Sequence, residues 1–212
     1  MANRPVYIAI SEFPYVKAID TDFTFCSGFS MKQRINSMNN LHESFCRSNP
    51  CKRIIEISRA SQSDLGRRLS AFNLTIDDKR GLTYFVESAF QSSKCFEKGG
   101  PYKDILLKNS IEAKKDIRLK ESGDVVGFEF YGVKFPTKPM TYFYDWLYIH
   151  AVYEHKELWD EILQHDAFTD IMFNPQKQIN CQARSLAMFV GLHRSGVLDE
   201  VMNSRNRFLE CY

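Results

Sequence analysis

The sequence predicts an α+β fold, mainly helical with small β-sheet elements, in a single domain. Three observations lead there. Short β-branched runs bounded by polar residues, at 6–10 and 53–58, read as strands. Longer stretches free of Pro and Gly, at 32–46 and 142–164, carry apolar residues at helical spacing. No repeat, low-complexity tract or linker divides the 212 residues, and at that length one domain with a sizeable core is the default.

Taken in order, residues 6–10 open with a strand, and 23–26 suggest another ending at Ser27-Gly28. Ser30 is placed to cap a helix over 32–46, with Ile35, Met38, Leu41, His42 and Phe45 as its inner face. Residues 53–58 give a further strand. Ser63-Asp64-Leu65-Gly66 reads as a break, 69–74 has no clean period, and 77–81 is a polar turn.

From Tyr84 the chain has no Pro or Gly until Gly99, which predicts a helix stopping at the glycine pair. At about 100° per residue, Glu87, Gln91 and Lys94 share one face and Phe85, Ala89 and Phe96 the other. Spacing alone describes an amphipathic surface helix. However, an acid, an amide and an amine in one stripe also suit chemistry, and the bare backbone of Gly99-Gly100-Pro101-Tyr102 suits close approach to a ligand.

Ser110 is read as the cap of a helix through Leu119, with Gly123 as its stop. Residues 125–133 are a strand pair or a bent strand, ended by Pro136 and Pro139. Thr141 opens the helix over 142–164, where Asp145 lines up with Ile149 and Val152 on an apolar stripe. That acid is either a first-turn Asp satisfied by helix N–H groups or a partly buried proton donor. A turn at 170–175 follows a short strand, 179–192 is a last apolar helix, and the tail is polar and expected to fray.

Composition narrows the function. Hydrophobic residues at 44% and charged residues at 25% are ordinary for a globular chain. Aromatics reach 14%, with 17 Phe and 10 Tyr, which supplies core mass and rings able to stack on bases. A formal charge of +2 is too small for a protein that coats nucleic acid. Cys26, Cys46, Cys51, Cys95, Cys181 and Cys211 form no C-x-x-C, and the histidines form no H-E-x-x-H, so neither zinc nor a cofactor is expected. Met1-Ala2-Asn3-Arg4-Pro5 lacks a signal-peptide core, and no apolar run nears the ~18 residues of a membrane span. A reduced, cytoplasmic protein without a membrane partner is the expectation. No Walker A, G-x-G-x-x-G or G-x-S-x-G sequence is present.

Longer motifs carry a resemblance. Leu69-Ser70-Ala71-Phe72-Asn73, then Val86-Glu87-Ser88-Ala89-Phe90-Gln91 with Lys94, then Ser110-x-Glu112-Ala113-Lys114 resemble the NADAR (YbiA-like) family. That family reads L-S-N-F, then v-E-x-x-[FY]-Q-x-x-K, then an A-K-rich helix. Asn180 before an apolar helix is similar to the family's closing N-x-x-G helix. Ala71 stands where most of the wider family has Asn. Gly28-Phe29-Ser30, Glu56-Ile57-Ser58, Gly99-Gly100-Pro101-Tyr102, Phe143-Tyr144-Asp145-Trp146-Leu147-Tyr148 and Asn180-Cys181-Gln182-Ala183 resemble one branch more closely. This is the branch of NADAR antitoxins that accompany DarT-type DNA ADP-ribosyltransferase toxins.

The resemblance implies a NADAR fold in one domain over 1–212, with an extension of about 1–60 packed on a core of 65–195. It also implies an N-glycosidase that removes ADP-ribose from the guanine amino group of single-stranded DNA, with a DarT-type toxin as functional partner. Cleaving a ribosyl–nitrogen bond builds positive charge at C1, where Glu87 would help. Asp145 or Glu87 would move the proton. Lys94 would either form a Schiff base with the opened ribose or neutralise Glu87 or a phosphate. Gly99, Gly100 and Arg118 would hold the diphosphate. Tyr102, Phe72 or Trp146 would stack on a base, Gln91 and Asn180 would read hydroxyls, and Ser70 and Asn73 belong to the binding motif. A metabolic N-glycosidase acting on small ribosylated intermediates, and a non-catalytic module that binds ADP-ribose or neutralises a toxin, remain as other readings.

Overall fold

The computed structural model describes residues 1–28, 30–50 and 52–212; Phe29 and Cys51, both named above, lie outside the described residues. The chain is α+β. Its elements run β1 (Ala2–Ala9), β2 (Val16–Phe23), α1 (Met31–Ser48), β3 (Ile54–Glu56), α2 (Asp64–Arg68), β4 (Thr75–Asp77), β5 (Thr83–Phe85), α3 (Val86–Ser92) and β6 (Lys94–Phe96). After a 3-10 turn (Lys103–Leu107) come α4 (Ser110–Lys115), α5 (Arg118–Glu121), β7 (Val125–Phe130), β8 (Val133–Phe135) and α6 (Tyr142–Glu154). The chain closes with α7 (Trp159–Ile162), β9 (Ala167–Thr169), α8 (Gln182–Arg194), α9 (Leu198–Met202) and α10 (Arg205–Leu209). It divides into two compact units, one formed by Met1–Ser70 with His155–Tyr212 and the other by Ala71–Glu154.

The first unit holds a four-stranded sheet in the order β2-β1-β9-β3, antiparallel except for the parallel pair β3/β9. The alternation of β1 sends Val6 and Ile8 into a core with Phe23, Met38, Leu41 and Phe45. Those last three are the inner face of α1, which Ser30 caps by accepting from the Gln33 N–H at 3.3 Å. Helix α8 packs on β1, β2 and β9. Gly191 allows that approach, because a Cβ there would lie 2.0 Å from the Tyr15 carbonyl oxygen.

This unit also buries a polar network. Glu56 is 2% exposed; its Oε1 accepts from Ser58 Oγ at 2.6 Å and the Ile171 N–H at 2.8 Å, and its Oε2 accepts from Thr169 Oγ1 at 2.7 Å. Since Thr169 gives its only proton to Glu56, His42 Nε2, 2.8 Å from the same hydroxyl, must donate. Burial pushes the His42 imidazole down to about 4. Burial, and then the neighbouring Glu56, pushes Asp170 up to about 8.

These two shifts have opposite signs in stability. Between about pH 4 and 6.5 the unfolded chain protonates His42 more than the native state does, so stability rises with pH. Between about pH 4 and 8 the native state holds an Asp170 proton that the unfolded chain has lost, so stability falls with rising pH. Above pH 6.5 the His42 slope is gone, and Glu56, whose carboxyl burial also pushes up, acts in the same direction as Asp170. The melting temperature is therefore expected to fall from pH 6.5 to 8 in the wild type, and to fall less steeply in Asp170→Asn.

The second unit contains the hairpin β4/β5 and the antiparallel sheet β6-β7-β8. Tyr131 (φ 49°) and Gly132 (φ 78°) make the tight β7–β8 turn, where both central residues need positive φ. Phe90, Phe128 and Phe143 stack between α3, β7 and α6, with centroids 5.6 Å apart for Phe90–Phe128 and 4.8 Å for Phe128–Phe143.

Several elements depart from the sequence expectation. The helix expected to reach Gly99 ends at Ser92, and Lys94–Phe96 pairs with β7 instead. Ser92 and Ser93 both donate their hydroxyls to the Ala89 carbonyl, which competes with helix continuation. The second strand is Val16–Phe23, not 23–26, and Ser63 caps a short helix where a break was expected. Asn109, not Ser110, caps α4, accepting from the Ile111 and Glu112 N–H groups. The helix over 142–164 is interrupted at His155, whose φ −86° and ψ 64° are non-helical. The tail folds into α9 and α10, anchored by the fully buried Phe208.

Candidate active site

Helix α3 buries every residue from Val86 to Ser92, so the polar stripe read from the sequence does not face bulk water. Its entry is fixed by two backbone bonds, Val86 N–H to the Leu74 carbonyl at 2.9 Å and Glu87 N–H to the Ala71 carbonyl at 2.9 Å. Glu87 is 5% exposed. Gln91, one turn on, donates Nε2–H to Glu87 Oε1 at 2.8 Å, and Lys114 Nζ lies 3.5 Å from the same oxygen. Both contacts fall on Oε1, and among the described residues no hydrogen bond or ion pair engages Oε2.

Lys94 reaches the same neighbourhood from β6 rather than from the helix. Its Nζ sits over the Phe90 ring, 4.8 Å from the centroid. Burial lowers its pKa to about 8, with Glu87 pulling it up and Lys114 pushing it down. An apolar floor and a second cation outweigh the nearby carboxylate, so the amine is poised close to neutrality. Lys114 in turn lies over the half-buried Phe72, 4.9 Å from the ring centroid. In the sequence, Lys114 is marked only by the Ala113-Lys114 pair of the A-K-rich motif.

Gly99, Gly100, Tyr102 and Arg118 form a second group beside the Lys94 strand. Gly100 has φ +77°, and a Cβ on it would lie 2.4 Å from the Lys94 carbonyl oxygen. Gly100→Ala is therefore expected to cost about 1–3 kcal/mol through forced φ and this clash, read as a lowered melting temperature. Tyr102 lies against Phe96 with centroids 6.2 Å apart, and Arg118 covers Tyr102 at 4.5 Å. The Arg118 guanidinium is held by Asp104 at 2.6 Å and Asp116 at 2.8 Å, so a phosphate there would have to displace a carboxylate.

The remaining expected residues are placed as follows. Asp145 is 1% exposed in the first turn of α6, and its N–H bonds the Thr141 carbonyl at 2.8 Å. Trp146 packs edgewise on Phe130 and lies 4.2 Å from the His150 ring. Asn73 is exposed. Ser70 and Asn180 belong to the other unit, where Ser70 is 1% exposed and Asn180 Oδ1 is a buried acceptor without a hydrogen-bond partner among the described residues.

Among the described residues no cluster of three or more His, Cys, Asp or Glu side chains is arranged to hold a metal ion. None of the described helices is long and apolar enough to cross a membrane. No curated protein matches the chain. The model of DarT1-associated NADAR antitoxins matches residues 2–212, and the chain belongs to that family.

Proposed function

We propose that the protein is the antitoxin of a DarT1-type toxin and acts as an N-glycosidase, removing ADP-ribose from the amino group of guanine in single-stranded DNA. The observation that carries this reading is the buried carboxylate of Glu87, held by Gln91 and Lys114, in electrostatic contact with a Lys94 amine whose pKa falls to about 8. Glu87 Oε2 stabilises the positive charge that develops at ribose C1 as the C1–N bond lengthens. The departing guanine nitrogen takes a proton from an acid, with Glu87 and Asp145 as the two candidates. In the covalent route the ribose ring opens while the guanine nitrogen is still on C1, which becomes an imine carbon; the neutral Lys94 amine adds there, the guanine amine leaves with that proton, and water hydrolyses the remaining lysine imine to free the amine and ADP-ribose, whose ring recloses. The Phe72 ring and the Gly99-Gly100 backbone are offered to the nucleotide part, while Tyr102, packed between Phe96 and Arg118, supports them.

The test uses an oligonucleotide carrying the modified guanine. The wild type should release ADP-ribose and restore the unmodified base, followed by mass spectrometry. If no ADP-ribose appears at enzyme concentrations equal to substrate, the hydrolase reading is wrong.

A further inference from the structure

We propose that the segment from the 3-10 turn through α5 is the seat for the DNA strand flanking the modified base; this rests on the hydrolase reading above. The segment is tied to the site at the start of α4 by two hydrogen bonds. Ser88, next to Glu87, donates its hydroxyl to the Lys108 carbonyl at 2.7 Å, and Ser110 donates to the Phe72 carbonyl at 2.8 Å. Ser110 and Ala113 face inward, while Ile111, Lys114 and Lys115 are exposed. Lys114 bridges the two regions, since its Nζ lies 3.5 Å from Glu87. A base delivered to Glu87 and Lys94 must therefore bring its own backbone past this helix.

The chemistry of the segment fits a single strand. Lys108 and Arg118 are spent on Asp104 and Asp116. Lys115 and Lys120 make no ion pair among the described residues and are exposed, which leaves them to phosphates. Glu112 and Glu121 are the carboxylates that oppose them. Leu107, Ile111 and Ile117 are 69%, 46% and 58% exposed, so three aliphatic side chains sit among cations on one short stretch. Aliphatic groups of this kind wedge against unstacked bases, while the lysines follow the backbone. Charge complementarity favours a nucleic acid strand over an acid-poor protein surface as the occupant.

The experiment compares the full-length wild type with Lys115→Glu/Lys120→Glu and with Ile111→Ser. The control carries Lys17→Glu/Lys32→Glu, the same charge change on two exposed lysines of the other unit. Two substrates are used, a modified oligonucleotide and the ADP-ribosylated nucleoside alone. Binding of an unmodified oligonucleotide is followed by fluorescence anisotropy across salt concentrations.

The charge variant should raise KM on the oligonucleotide about tenfold and leave nucleoside turnover unchanged. Its log–log salt slope should be shallower by about 1.4, for two lost phosphate contacts on a single strand. Ile111→Ser should weaken oligonucleotide binding without changing that slope, and the control should match the wild type. Equal losses on both substrates, unchanged oligonucleotide binding, or loss of toxin binding alone would each overturn the proposal. If the wild type hydrolyses neither substrate, the hydrolase reading fails, while the anisotropy data still decide whether this face binds a strand.

Discussion

Replacing Glu87 with Gln is expected to reduce ADP-ribose release by about 10²–10³-fold, the usual loss when one electrostatic stabiliser of a transition state is removed. The substitution keeps shape and leaves Oε1 to accept from Gln91, so the fold should survive. Lys114 is exposed and stays solvated after losing its partner. The melting temperature should therefore stay near that of the wild type while turnover collapses. Comparable losses of both would make Glu87 a structural acid and remove it from the chemistry. The same substitution withdraws the carboxylate that raises the Lys94 pKa, so the amine should titrate below about 8 in this variant.

The second large effect is expected at Lys94. Lys94→Ala should lower turnover by about 10³-fold or more if the amine forms the covalent intermediate. The wild-type pH profile separates this role from a purely electrostatic one. At pH 7 an amine of pKa about 8 is neutral in about one molecule in ten, against about one in three thousand for an ordinary lysine at 10.5. With the neutral amine as nucleophile, the rate should rise about tenfold per pH unit below pH 8 and level off above it. If Lys94 served only as a cation, activity would instead decline above pH 8. Lys114→Met should shift the plateau to higher pH, because Lys114 is one of the groups that lowers the Lys94 pKa. Borohydride added during turnover should leave a ribosyl adduct on Lys94, and a peptide digest free of adduct would leave Lys94 with the electrostatic role alone.

Helix α1 shows what local sequence can reveal. Its Ser30 cap and the spacing of Met38, Leu41 and Phe45 are properties of a few consecutive residues, and the structure reproduces them. The pairing of Glu87 with Gln91 came from the same helical period, and the two side chains meet at 2.8 Å. Lys94 shows the limit. The period runs unbroken through Ser92-Ser93, but the chain leaves the helix because β7, some thirty residues later, supplies strand partners at Gly127 and Phe128. Strand β2 is hidden in the sequence for a related reason. Its Lys17, Asp20 and Asp22 suit a sheet edge and dilute any apolar run, and pairing with β1 decides the matter. Lys114 could be placed beside Glu87 only by knowing that α3 and α4 pack together.

The junction at Ser93 has one further consequence. This residue ends α3, is 1% exposed, and its carbonyl accepts the Glu129 N–H at 2.8 Å. Acid and amine therefore sit on a helix and a strand joined by one buried, hydrogen-bonded residue. In a strand, successive side chains alternate sides, so one residue inserted or deleted here would turn the amine to the opposite side of the sheet. Length at this position should be immutable even where side-chain identity is tolerated, a constraint that a library of single-residue insertions would expose as a sharp gap at Ser93.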